Sequence, residues 1–119
     1  DPGWSNFEIG NALVESDDLS IAIAAGYLRL LKDDYPAADS RGLFIAYAAS
    51  RTSNRIMDYF GWNLQSLVHA ATAEVYTQGS FGVRIDGELL GMSRTTLDTL
   101  LARENHWESS SNAMRQAGW

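Results

Sequence analysis

The residue in this sequence best suited to chemistry is Glu104. It shares a helical face with Leu97, Leu100 and Leu101, and an aromatic, Trp107, follows three residues later. A carboxyl group partly removed from water favours its protonated form. Such a group in a cleft can protonate the leaving oxygen of a glycosidic bond. Arg103 is adjacent in sequence, and on a helix that places it on a different face. The second acidic candidate is Glu15, in Ala12-Leu-Val-Glu-Ser. Asp17 and Asp18 lie next to it and add like charge, but in an open and well-solvated place.

Other chemistries find no support. The chain has no cysteine, which removes disulfides and thiolate nucleophiles. His69 and His106 are its two histidines, and neither has a partner at ligand spacing, so no metal and no cofactor is expected. No serine sits on a Gly-x-Ser-x-Gly elbow. Arg94, Thr95 and Thr96, after Leu89-Leu-Gly-Met-Ser, resemble the start of the recognition helix in helix-turn-helix proteins, where they would face the major groove. The net charge of −6 argues against nucleic acid, which calls for a basic face. No apolar run reaches the length of a membrane span, and no signal peptide is visible.

Two segments resemble the lysozyme-like lytic transglycosylases. The first is Ala24-Ala-Gly-Tyr-Leu-Arg-Leu-Leu, then a short gap, then Leu43-Phe-Ile-Ala-Tyr-Ala-Ala-Ser. The second is Leu101-Ala-Arg-Glu-Asn-His-Trp, followed by Ser111, Asn112, Ala113 and Ala117-Gly118. The resemblance implies Glu104 as the catalytic acid, with Tyr47, Trp107 and Ser111 lining a glycan groove. Ala48 and Ala49 replace the Asn and Gly that the family carries after the tyrosine. The two segments also stand in reversed order, so the resemblance implies a chain circularly permuted or excised from a longer one. The opening Asp1-Pro-Gly-Trp, which lacks a methionine, gives the same expectation of an excised or processed domain.

The elements that must position these residues follow from periodicity. With 119 residues, 45% hydrophobic and 20% charged, the chain is expected to be a single domain, 1–119, with one core. Asp1 to Gly10 reads as a loop with Trp4, Phe7 and Ile9 packing down, and Asn11 to Glu15 as a short helical turn. Ile21, Ala24, Leu28 and Leu31 mark a first helix capped by Ser16 and stopped at Tyr35-Pro36. Asp39-Ser40 starts a second, and the run Leu43 to Ala49 is apolar on every side, which predicts a central, buried helix with Leu28 and Phe44 in the core. A third helix uses Ile56, Met57, Tyr59 and Phe60 and ends at Gly61. A fourth is capped by Asn63, with Leu64, Leu67, Val68, Ala71 and Val75 on one face and Gly79 closing it. Asp86-Gly87 between two apolar runs predicts a β-hairpin with a type I′ turn. Ser93 caps a fifth helix, and Glu108 to Trp119 reads as a polar tail.

The fold class expected is therefore mainly α, with about five helices and one small β-hairpin, and the resemblance implies that the helices take a lysozyme-like arrangement. The first function this suggests is cleavage of peptidoglycan glycan strands, by a glycosidase or lytic transglycosylase of secreted or periplasmic location acting on a cell-wall glycan. The second is a non-catalytic module, of the immunity or adaptor kind, whose acidic surface binds a basic protein partner. The third is a helix-turn-helix DNA-binding regulator.

Overall fold

The structure, a computed structural model, describes residues 17–118, with side chains from residue 24 onward. The expectations for Trp4, Phe7, Ile9, Asn11 to Glu15 and the Ser16 cap lie outside the described residues. The chain divides into two units, residues 1–36 and 37–119.

The first unit contributes helix α1, Asp17–Asp34. Ala24 and Leu28 are half-buried and Leu31 is buried, so the predicted spacing does mark its inner face. Tyr35 donates its amide to the Leu31 carbonyl at 2.8 Å, and the Lys32 ammonium donates to the Pro36 carbonyl at 2.8 Å. The lysine thus closes the last turn where proline cannot continue it.

The second unit is mainly α with one hairpin. Helix α2 spans Ser40–Ala48, and the Asp39 side chain caps it by accepting from the Gly42 amide at 2.8 Å. Ala49 ends α2, and Ser50 at once caps α3, Arg51–Tyr59. The polar residues Arg51-Thr-Ser-Asn thus form the first turn of the third helix, ahead of the apolar residues that marked it in the sequence. Ser53 and Asn54 are buried there, and Asn54 Nδ2 donates to the Ala46 carbonyl at 3.2 Å, joining α3 to α2. Gly61 and Trp62, both at positive φ, turn the chain toward α4, Leu64–Gln78, which Asn63 caps and Gly79 closes.

Strands β1, Ser80–Ile85, and β2, Glu88–Ser93, pair antiparallel with Ile85 opposite Glu88. Asp86 at φ 51° and Gly87 at φ 79° make the two-residue turn that needs positive φ twice. Phe81, Leu90 and Met92 point inward, with Phe81 directly across from Met92. Helix α5 then runs from Arg94 to Gln116, 23 residues. It absorbs the segment expected to be a polar tail, because its exposed faces need only polar residues to continue.

The core of this unit differs from the one expected. The largest fully buried side chains are Ile45, Ile56, Met57, Leu64 and Leu67. Four of these five come from α3 and α4, so the middle of the unit lies there rather than in α2. Only Gly42, Ile45 and Ala46 of α2 are buried, while Leu43 and Phe44 are half-buried and Tyr47 and Ala48 exposed. An apolar run of leucine, phenylalanine, isoleucine, tyrosine and three alanines looks buried all round by composition. Its small residues instead let it lie flat on one side, with little to hide on the other. Among the described residues, no helix is long and apolar enough to cross a membrane.

Candidate functional site

The seam between α2 and α5 holds the acid singled out by the sequence. Glu104 lies about three turns into α5, on the same side as Leu97 and Leu100, and is buried. The polar tail expected from Glu108 would have left it near a helix end, but α5 continues for three more turns. Its neighbour across the seam is Arg41, in the first turn of α2, whose Nη1 lies 3.5 Å from Glu104 Oε2. The same guanidinium is 4.0 Å from Glu108 Oε1, one turn further along α5. Arg41 thus bridges two carboxylates of α5 from the start of α2. The sequence reading looked for a basic neighbour only in Arg103 and missed this one. The signal was present, since Arg41, Phe44, Ile45 and Ala48 share one face of α2.

Arg103 does point elsewhere, as expected. Its Nη2 donates to the Phe44 carbonyl at 2.6 Å, and its guanidinium sits 4.0 Å over the Phe44 ring. Two aromatic side chains of α5 also meet the Phe44 ring. The Trp107 ring centroid is 5.5 Å away at a 43° tilt, and His106 stacks at 5.9 Å and 30°. Phe44 is therefore the knob around which Arg103, His106 and Trp107 of α5 arrange themselves. Trp107, assigned by resemblance to a sugar groove, spends part of its ring on Phe44. Ser111, one turn beyond Trp107, is half-buried on α5. Tyr47, one turn beyond Phe44 on α2, is exposed. All four residues expected at a glycan site thus fall on α2 and α5, two helices that pack together.

The segment compared with a recognition helix has different surroundings. Residues Glu88–Ser93 ahead of it form β2, where a helix-turn-helix would have its supporting helix. The Arg94 guanidinium lies 4.8 Å over the Tyr76 ring of α4, and the Thr96 hydroxyl is 2.9 Å from the Ser93 hydroxyl. The Ser93–Thr96 contact belongs to the cap of α5, and the Arg94–Tyr76 contact ties that helix to α4. His69 lies exposed on α4, apart from His106 on α5. Among the described residues, no group of three or more histidines or carboxylates is placed to hold a metal ion.

Charge is distributed unevenly between the two units. Residues 1–36 contain seven Asp and Glu against Arg29 and Lys32, a net of −5. Residues 37–119 contain eight acids against seven arginines, a net of −1. Several of those arginines are engaged: Arg41 as above, Arg55 on Glu88 at 2.8 Å, Arg94 on Tyr76 and Arg103 on Phe44. Compared with models of protein families, with curated proteins and with solved structures, the chain matches none of them.

Proposed function

We propose that this chain is a non-catalytic protein-binding module whose acidic surface engages a basic partner protein. The observation that carries this reading is the state of Glu104. It is 8% exposed and faces the Arg41 guanidinium, in the packing of α2 on α5. A general acid has to reach the oxygen it protonates. A carboxylate built into a helix–helix ion pair serves the fold instead. The exposed surface is better suited to contact with protein. Tyr59, Tyr76 and Leu89 are each more than half exposed, and the chain carries a net charge of −6.

The test is crosslinking of the full chain in the cells that make it, followed by reconstitution of any captured pair from purified components. A defined complex that weakens as salt rises supports the module. A chain that captures nothing and releases sugar fragments from purified cell walls defeats it. Peptidoglycan cleavage in a lysozyme-like arrangement remains the second reading. What favours it is the gathering of Glu104, Tyr47, Trp107 and Ser111 on the α2–α5 pair. It requires that Glu104→Gln abolish fragment release while the fold is retained.

A further inference from the structure

We infer that the chain pairs with a second copy of itself through the free edge of β2, joining two hairpins into one antiparallel sheet. Such a dimer is independent of what the acidic surface binds.

The two edges of the hairpin are not alike. Ile85 and Glu88 flank a two-residue turn, so they exchange hydrogen bonds, and by alternation so do Val83 with Leu90 and Phe81 with Met92. The backbone groups of Gly82 and Arg84 on β1, and of Leu89 and Gly91 on β2, therefore point away from the hairpin. Two bonds agree with this parity. The Gly82 N–H donates outward to Glu74 Oε2 at 3.2 Å, and the Arg94 N–H donates to the Gly79 carbonyl at 3.1 Å, extending the ladder. Glu74, on α4, thus lays a carboxylate on the edge of β1, which a further strand would have to displace. The edge of β2 has no such guard. Among the described residues, no hydrogen bond reaches the outward groups of Leu89 and Gly91, and both residues are exposed.

The side chains at this edge match their own reverse. Leu89 is 66% exposed on the outer face of the hairpin. Gly91, on the same face, weakens a strand. Yet its φ is not positive, and a Cβ there would meet nothing nearer than the Phe81 carbonyl oxygen, at 3.8 Å. Nothing in the hairpin calls for a glycine. Antiparallel pairing of two β2 strands, with Leu90 facing Leu90, sets each Leu89 opposite Gly91 of the other copy. Those are the residues whose outward groups are free, so each pair exchanges both of its hydrogen bonds. The bare glycine lets the opposing leucine lie across the seam. The charge is compatible as well. Glu88 is the one charged residue of β2, and Arg55 of α3 neutralises it at 2.8 Å, so like charges do not face each other. A contact that complements itself in this way is what a two-fold dimer requires.

The test uses the full chain, which has no cysteine of its own. Leu89→Cys and Gly91→Cys are made in separate copies, and the two are mixed under mild oxidation. Opposed Cα atoms in a hydrogen-bonded pair lie about 5.5 Å apart, within the span of a disulfide. The mixture should crosslink about tenfold faster than either variant alone, whose cysteines would sit diagonally across the seam. Without substitutions, the chain should sediment as a monomer–dimer equilibrium with a Kd of about 0.1 mM, as suits a small contact. Amide exchange at Leu89 and Gly91 should slow as concentration rises through that range, while Arg84 on the other edge keeps its rate. Leu89→Lys should raise the Kd about tenfold and leave the melting of dilute protein unchanged, since the side chain is exposed. A chain still monomeric at about 1 mM would overturn the inference. So would a dimer in which the β2 amides exchange as before and the cysteine mixture crosslinks no faster than its parts.

Discussion

At the scale of single residues, the seam chemistry is a matter of which groups face each other. If the Arg41–Glu104 contact is structural, Glu104→Gln should lower stability by about 1 kcal/mol in a denaturant melt, because Arg41 is partly solvated and keeps Glu108. Arg41→Gln should cost about as much and, combined with Glu104→Gln, little more, since both remove one interaction. Strict additivity of the two losses would show that they do not act on each other. A second site is Gly42. A Cβ there would meet Ala38 Cβ and Trp62 Cε3, each at 3.2 Å. Ala38 is fully buried, and Trp62 is held by its own indole N–H, which donates to Asp58 Oδ1 at 2.9 Å. Neither neighbour has room to yield, so Gly42→Ala should destabilise by about 1 kcal/mol, overpacking outweighing the helix propensity gained. A gain in melting temperature would show that Trp62 can move. The sequence could not have revealed this site, since a close approach between distant backbones leaves no local pattern.

At the scale of elements, the boundaries that follow from local chemistry were legible. Asn63, Ser93, Asp39, Gly79 and the Asp86-Gly87 turn all act by short-range hydrogen bonds or by φ, and each was identified from the residues alone. Gly87→Val should therefore destabilise by about 1–2 kcal/mol, because a β-branched residue resists φ 79°. Unchanged stability would mean that the turn relaxes to another form. What was not legible was which apolar helix is central, since that depends on partners far apart in sequence. The run Leu43 to Ala49 was expected at the centre, yet the deepest side chains come mainly from α3 and α4. The consequence can be measured. Leu67→Ala, in a fully buried position, should cost about 2–5 kcal/mol. Phe44→Ala, half-buried at the α2–α5 seam, should cost less, by urea denaturation of both variants. The reverse order would restore α2 to the centre. The candidate site was legible only as a set of residues on two helices. Its ionic partner across the seam was not.

At the scale of the whole molecule, the division of charge predicts a division in the response to salt. Screening relieves repulsion only where charge is unbalanced. Raising salt from about 0.02 to 0.5 M should slow amide exchange in α1, whose C-terminal aspartates oppose the helix dipole. Exchange in α4, which forms no ion pair among the described residues, should scarcely change. Equal slowing in both would indicate a general salt effect instead. The bond from Lys32 to the Pro36 carbonyl has a consequence of another kind. Lys32 is the single lysine of the chain, and the other basic side chains are eight arginines and two histidines. A lysine-specific endoprotease therefore has one peptide bond to cut, Lys32–Asp33, and that bond lies inside the last turn of α1. Cleavage has to wait for that turn to unwind and release the ammonium from Pro36. The rate of one nick, read on a gel, is then a clock for the opening of the C-terminal end of α1, four residues from the junction of the two units.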